Sequence, residues 1–141
     1  MFDHILFPAD GSDGANSVFD HVLDVAETHD ATLHILHVAD TAHDSVTQID
    51  GRVVDVFERE GERIVEELAD RAASRDVPTT TDVVQGGVPE TILAYADRYD
   101  IDLIVMPTRG RTGLKRLFLG STTARVVRGS LVPVLTLHPD D

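Results

Sequence analysis

The sequence predicts an α/β fold, an open parallel sheet with helices on both faces. Three observations predict it. Five short apolar runs alternate with four segments of helical periodicity, the pattern of repeated strand–helix units. The first run, His4-Ile-Leu-Phe-Pro-Ala9, is nearly continuous in apolar residues, as a strand buried on both faces must be. A Gly-rich, basic loop joins the fourth run to a helix start at Gly120-Ser-Thr-Thr. Right-handed crossovers between parallel strands then put helices on both faces.

Each element has its own signal. Asp10-Gly-Ser-Asp-Gly14 is a turn, with Ser12 or Asp13 as the N-cap. A helix follows to about His29, its inner face formed by Ala15, Val18, Phe19, Val22, Leu23 and Ala26. Ala31–Ala39 is the second strand. Asp40–Asp50 is polar and irregular and is expected to be a mobile loop. Arg52–Ser74 is a long helix with Val53, Val54, Phe57, Ile64, Val65, Leu68 and Ala72 inward; Gly61 interrupts it at a cost of roughly 1 kcal/mol relative to Ala. Pro78–Val84 is a third strand whose threonines suit an edge. Gly86-Gly87 turns the chain, and Pro89 suits the first helical position of a helix running to Tyr99 that buries Ile92, Leu93 and Ala96. Ile101–Met106 is the fourth strand. A helix from Ser121 stops at Gly129, and Leu131–Leu137 is the last strand, with Pro133 near its start or on an edge.

The length of 141 residues fits one domain over residues 1–141, able to bury about 70% of its unfolded surface. There is no cysteine, so disulfides and thiolate metal sites are excluded. No apolar run reaches the ~18 residues of a membrane span, and the N-terminus lacks a charged-then-apolar leader. The expectation is a cytoplasmic protein that does not enter membranes. A net charge of −13 argues against general nucleic-acid binding. The acids are mostly Asp, and eleven of the twelve bases are Arg. Such a surface repels itself in dilute buffer and is screened by salt, and it resembles that of halophilic proteins, so a salt-loving source is expected, with an ordinary acidic cytosolic protein as the alternative.

Against that background one stretch stands out. Between Leu103 and Pro139 there is no Asp or Glu, yet the segment carries Arg109, Arg111, Lys115, Arg116, Arg125 and Arg128. Strand, glycine loop and helix N-terminus together form an anion-binding arrangement, because the first-turn N–H groups are unpaired and the helix dipole favours negative charge. A basic surface that pairs with acidic surface, or with a partner subunit, is the other reading. In parallel sheets ligands bind at the carboxyl ends of the strands, where strand order reverses. If the first strand lies beside the fourth, Ala9-Asp10 and the 107–122 loop line one crevice.

These residues resemble the universal stress protein family over essentially the whole chain. Nucleotide-binding members carry a Gly, two residues, a Gly, nine residues, then Gly-Ser or Gly-Thr. Gly110, nine residues and Gly120-Ser121 match the second part, and Ile-Leu-Phe-Pro-Ala-Asp-Gly-Ser and Pro-Val-Leu are also similar to the family. The resemblance implies a strand order of 3-2-1-4-5 and an adenine-nucleotide alpha-hydrolase-like fold. It implies adenine near Pro8, Ala9 and the Val38 backbone, with ribose near Asp10 and Met106 as a further cofactor-binding residue. Phosphates of ATP, ADP or AMP would lie at Gly110, Gly120, Ser121 and Thr122, with Arg111 in support and Mg²⁺ possible. It further implies a homodimer through the last strand, Val132–Leu137, with binding rather than turnover as the function and at most slow hydrolysis. Pro107 departs from the motif by replacing the first Gly. It removes an N–H and fixes φ. Without that N–H on phosphate or ribose, affinity would fall roughly ten- to a hundredfold, and Arg109 and Arg111 could offset the deficit. The alternative is a dimeric interaction protein that binds no nucleotide.

Other chemistry is weaker. Asp10 reads equally as a turn-stabilising residue or as a ligand to ribose or metal. His34 and His37 fall on opposite faces of their strand, so they do not share a metal. Ser121 reads as a helix-start residue rather than a nucleophile. Asp55, Glu58, Glu62 and their neighbours read as a solvated helix face. An enzyme of the wider adenine-nucleotide class would want a Ser-Gly-Gly loop, which is missing.

Overall fold

The computed structural model describes residues 2–40, 52–108 and 119–139, with side chains from residue 58 onward in the second segment. Its elements are β1 (His4–Pro8), α1 (Asp13–His29), β2 (Thr32–Ala39), α2 (Arg52–Ala73), β3 (Thr79–Gln85), α3 (Val88–Arg98), β4 (Leu103–Pro107), α4 (Ser121–Gly129) and β5 (Val134–Leu137). The five strands form one parallel sheet in the order β3-β2-β1-β4-β5. That is the expected order, and the Thr-rich β3 is an edge.

Alternation along the strands divides the core in two. Ile5, Phe7, Leu33, Ile35, Leu103 and Val105 face α1 and α2, where they meet Val18, Phe19, Leu23, Ile64 and Leu68. Leu6, Leu36, Ile104 and Met106 face α3 and α4 and pack on Ile92, Tyr95, Ala96 and Val126. Each large aliphatic side chain buried this way stabilises the fold by about 1.5–3 kcal/mol. The expected inner face of α3 needs one correction. Tyr95 is buried and Leu93 only half-buried, because Leu93 lies over Gly129 at the α3–α4 crossing.

Three helices end alike. Asp30, Asp76 and Asp100 adopt positive φ just past α1, α2 and α3. The N–H of the next residue returns to a carbonyl five residues back: Ala31 to Ala26, Val77 to Ala72 and Ile101 to Ala96. These are Schellman closures with Asp where Gly is usual. Asp tolerates this conformation better than most side chains.

The chain's end departs from expectation. Gly129 is the last residue of α4, not a left-handed stop, and Ser130 caps the helix in an extended conformation. A Cβ at Gly129 would approach Leu93 Cδ1 to 2.8 Å, so this glycine permits close packing of α3 on α4. Ser130 Oγ accepts the Val132 N–H and donates to the Val132 carbonyl, which turns the chain before Pro133 and delays β5 to Val134. Pro133 still contributes its carbonyl, which accepts the Ile104 N–H. The loop expected over Asp40–Asp50 lies outside the described residues beyond Asp40, as do Arg109, Gly110, Arg111, Lys115 and Arg116.

Candidate functional site

The site begins where β1 and β4 stop pairing. Their ladder has two rungs, Ile5↔Leu103 and Leu6↔Ile104, although β1 stays paired with β2 to Pro8 and β4 with β5 to Pro107. The strands therefore part at their carboxyl ends, at the point where strand order reverses. A cleft of about 480 Å³ opens there.

Three walls surround it. Pro8, Ala9 and Asp10 come from the end of β1. Asp10 Oδ1 accepts the Ser12 N–H at 2.9 Å, and Ser12 Oγ caps α1 by accepting the Ala15 N–H. The turn-stabilising role of Asp10 is thus realised, on a residue that also lines the cleft. Between them Gly11 has φ +78°, and a Cβ there would meet Ile64 Cδ1 at 2.8 Å. Leu36, His37, Val38 and Ala39 come from β2, and Val88 and Ile92 from α3. With Met106, the side chains of Val38, Val88 and Ile92 make one side of the cleft apolar.

The third wall is the first turn of α4. Gly120 is its N-cap and offers no side-chain hydrogen bond, so Ser121, Thr122 and Thr123 line the cleft from an uncapped helix start. Two bonds fasten this turn to β4. The Gly120 N–H donates to Thr108 O at 2.6 Å, and buried Thr123 Oγ1 donates to Pro107 O at 2.9 Å. Asp10, Asp40 and Glu60 also line the cleft. It thus carries acidic residues from the ends of β1 and β2 and from α2, and the positive end of a helix dipole at α4.

Of the residues expected at the site, Pro8, Ala9, Asp10, Val38, Met106, Gly120, Ser121 and Thr122 come together here. Gly110 and Arg111 lie outside the described residues. Pro107 lines the cleft as the last residue of β4, one residue beyond the expected strand end. Sequence reasoning missed His37, Glu60, Val88, Ile92 and Thr123 as lining residues. Glu60 belongs to the helix face expected to be solvated; half-exposed, it pairs with Arg63 at the cleft mouth. Val88 was open to inference, because every helix that follows a parallel strand starts at the carboxyl edge.

His37 occupies a special place. Its buried ring donates from Nδ1 to the Ala9 carbonyl at 2.7 Å, which fixes the tautomer, since a carbonyl only accepts. The ring lies against Gly61 of α2, where a Cβ would come within 2.6 Å of His37 Cδ2. The glycine interrupting the helix is the space this ring needs. His34 faces the other side of the sheet, as expected. Its Nδ1 meets the Tyr95 hydroxyl at 3.2 Å and its Nε2 meets His4 Nδ1 at 3.1 Å. Burial, then the neighbouring His4, push the His34 pKa below its ordinary value. Burial, with Asp82 and Tyr99 nearby, pushes Tyr95 up to about 12. Among the described residues no three His, Asp or Glu side chains are grouped to hold a metal, and no helix is long and apolar enough to cross a membrane.

A doubly wound parallel sheet with a ligand-sized cleft at its switch point, closed by an uncapped helix start, defines the class. The chain belongs to the universal stress protein family, whose model matches residues 1–138. Universal stress protein YxiE of Bacillus subtilis is 32% identical over 148 residues, covering 98% of this chain and 100% of that protein. The solved structure of MJ0577, a universal stress protein of Methanocaldococcus jannaschii, superposes with a TM-score of 0.90 at 27% identity, over 100% of this chain and 99% of the other. A family protein from Arabidopsis thaliana, solved with AMP bound, shares the fold with a TM-score of 0.75 at 17% identity, over 98% and 92%.

Proposed function

We propose that this universal stress protein binds ATP or another adenine nucleotide in the switch-point cleft and acts by binding rather than turnover. In this reading the base lies against Pro8, Ala9, Val38 and Met106, and the ribose near Asp10. Phosphates meet Gly120, Ser121 and Thr122, with Gly110 and Arg111 completing the loop. The observation that carries it is the uncapped first turn of α4 along one wall of the cleft. AMP bound to a protein of the same fold supports it by analogy. Any Mg²⁺ would come with the phosphates, since the described residues offer no three-ligand cluster.

Calorimetry with ATP in molar KCl, with and without Mg²⁺, tests the reading. Micromolar binding is expected, abolished by Gly120→Asp in a protein that still folds. Wild-type affinity in that variant overturns the site. The chain acts as a homodimer through Val132–Leu137. Its support is that β5 is a sheet edge with aliphatic side chains beside it; Leu131 is 99% exposed, and Val127 and Leu135 are exposed as well. Leu135→Lys should give a monomer in sedimentation; an unchanged dimer refutes this interface. We place the protein in the cytoplasm of a salt-rich cell, on its acidic, lysine-poor composition. An unfolding midpoint that does not rise with KCl contradicts that setting.

Pro107 favours one second reading, a dimeric interaction protein without nucleotide, because it removes a donor from the cleft. Capture of an acidic partner that depends on Arg111, Lys115 and Arg116 and ignores ATP would support it.

A further inference from the structure

The sheet has two edges. β5 forms one and β3 the other. Backbone direction alternates along a parallel strand, and two bonds fix its sense in β3. Leu33 of β2 donates to the Pro78 carbonyl, and Gly86 donates to the Ala39 carbonyl, so even-numbered residues of this segment face β2. The N–H and C=O groups of Thr79, Thr81, Val83 and Gln85 therefore point away from the sheet. Among the described residues no further strand pairs with them. Edge strands are commonly blunted by lysine, proline or a bulge. β3 contains no Lys or Pro, and its register with β2 runs unbroken from Leu33↔Thr79 to Ala39↔Gln85. Thr80 and Thr81 are exposed.

Carboxylates border this edge on both faces. Asp82 shares a face with Val84, which packs on the α3 side of the sheet, and it lies near Tyr95. Its Oδ1 accepts the Val83 N–H at 3.0 Å, so the chain's own side chain holds one of the outward donors. On the opposite face Gln85 Nε2 donates to Glu58 of α2 at 2.9 Å. Glu62 follows one turn later on the same side of α2 and is exposed. Arg71 and Arg75 of α2 are engaged elsewhere, with Asp20, Asp24 and Glu27 of α1.

We propose that the outer edge of β3 takes up an extended, Lys- or Arg-bearing segment of a partner protein as an added strand. The backbone of that segment pairs with Thr79, Thr81 and Val83. Its side chains alternate between the two faces. Cationic ones meet Asp82 on one face and Glu58 and Glu62 on the other. Asp82 is the specificity-determining residue. The incoming strand takes the Val83 N–H from it, and a cation opposite the released carboxylate compensates for that exchange. A neutral or acidic strand offers no such compensation. The same carboxylates disfavour a second copy of this chain, whose edge would set like charges against each other. This surface is independent of the cleft and of the nucleotide reading.

The test uses the whole protein and three end-blocked heptapeptides, in which Thr and Val alternate with Arg, with Gln or with Glu. Fluorescence anisotropy in about 0.1 M and about 1 M KCl gives the affinities, and amide exchange by NMR locates the peptide. The Arg peptide should bind, roughly tenfold more tightly than the Gln peptide at the lower salt, and the Glu peptide should not bind. The preference should shrink in about 1 M KCl, where charges are screened within ~3 Å. The amides of Thr79, Thr81 and Val83 should gain protection. Methylating the backbone nitrogens of the Arg peptide that face β3 should weaken it roughly tenfold or more. Asp82→Asn keeps an acceptor for the Val83 N–H but loses the charge, and should cut the preference for Arg over Gln roughly threefold. Asp70→Asn, the same charge change at an exposed position of α2, should leave it unchanged. Urea midpoints verify that each variant is folded. Failure of the Arg peptide to bind overturns the inference. So does an N-methylated peptide that binds equally well, or an equal effect of Asp82→Asn and Asp70→Asn, since either result means diffuse attraction to an acidic protein. Protection of Thr79 and Thr81 that rises with protein concentration in the absence of peptide assigns the edge to a second copy and also overturns it.

Discussion

Pro8 and Pro107 face each other across the β1–β4 junction and remove two successive rungs from the middle of the sheet. Proline is normally confined to edges and strand starts, because it cannot donate to a ladder. Here two prolines stand in central strands, at the carboxyl ends where a ligand crevice needs the strands apart. Pro107→Ala should give an amide at residue 107 that exchanges about as slowly as that of Val105. Stability should change by less than about 1 kcal/mol, since one added hydrogen bond is offset by a more flexible unfolded chain. Amide exchange by NMR decides it; exchange at the solvent rate would mean that the strands have diverged before this rung.

Gly61 and His37 give a second prediction. A Cβ at residue 61 would come within 2.6 Å of His37 Cδ2 and 2.9 Å of Val83 Cγ1. Both neighbours are held, the ring by its bond to Ala9 and the valine by the β2–β3 pairing. On an open helix face Gly→Ala would stabilise by about 1 kcal/mol. Here overpacking of about 1–3 kcal/mol opposes it, so Gly61→Ala should lose that gain and be destabilising by up to about 2 kcal/mol in urea. On the nucleotide reading proposed above it should also weaken ATP binding, because the displaced ring releases the Ala9 carbonyl beside Asp10. A stabilised variant would show that α2 moves aside at no cost.

Much of this architecture was legible because two periodicities report burial directly. The alternation of Ile5, Leu6 and Phe7 between two cores follows from a continuous apolar run, and the spacing of Val18, Phe19, Val22 and Leu23 marks the inner face of α1. Asp10, Ser121 and Thr122 marked the cleft because no core would hold polar residues at the end of β1 and the start of α4, whereas Pro8, Ala9, Val38 and Met106 were expected there only through the family resemblance. What was not legible depends on partners distant in sequence. Gly61 looks like a helix fault until His37 is placed against it. Tyr95 looks like surface until His34 is found beneath it. The left-handed Asp30, Asp76 and Asp100 leave no signal, since aspartate tolerates that conformation without requiring it. Glu60 is exposed and charged, and only topology brings it to the cleft.

Asp102 supports the junction from its other end. Its Oδ2 accepts the Asp3 N–H at 2.7 Å and the His4 N–H at 2.9 Å, tying the start of β1 to the residue before β4. The His4 amide, then the Asp3 amide, hold its carboxyl below the ordinary carboxylate value. A depressed folded pKa means that this stabilisation is fully present above the unfolded pKa of about 3.9 and is lost as pH falls through the folded value. Asp102→Ala should therefore cost about 1–2 kcal/mol at pH 7. The gap from wild type should close as pH falls below about 4. Urea midpoints for both proteins across this range check it; a constant gap would assign the loss to packing.

His34 should make stability sensitive to milder acid. The ring is buried at its β2 position, with His4 from β1 on one nitrogen and Tyr95 from α3 on the other, Tyr99 just past the end of that helix alongside, and Asp82 of β3 near Tyr95. The bond between His4 Nδ1 and His34 Nε2 needs a proton on one of the two facing nitrogens and not on the other. Charging His34 is disfavoured by its burial and by the His4 ring about 3 Å away. Because the folded pKa of His34 is lowered, the unfolded chain binds the proton first, and stability begins to fall as pH drops through about 6.5. The loss is complete once pH lies below the folded value. His34→Gln keeps a polar group against Tyr95 but does not titrate. It should be less stable than wild type at pH 8, by about 1–2 kcal/mol for the missing pairings, and should lose less stability between pH 7.5 and 5.5. Urea unfolding at the two pH values measures both effects. An equal drop in the two proteins would show that the acid sensitivity does not come from His34.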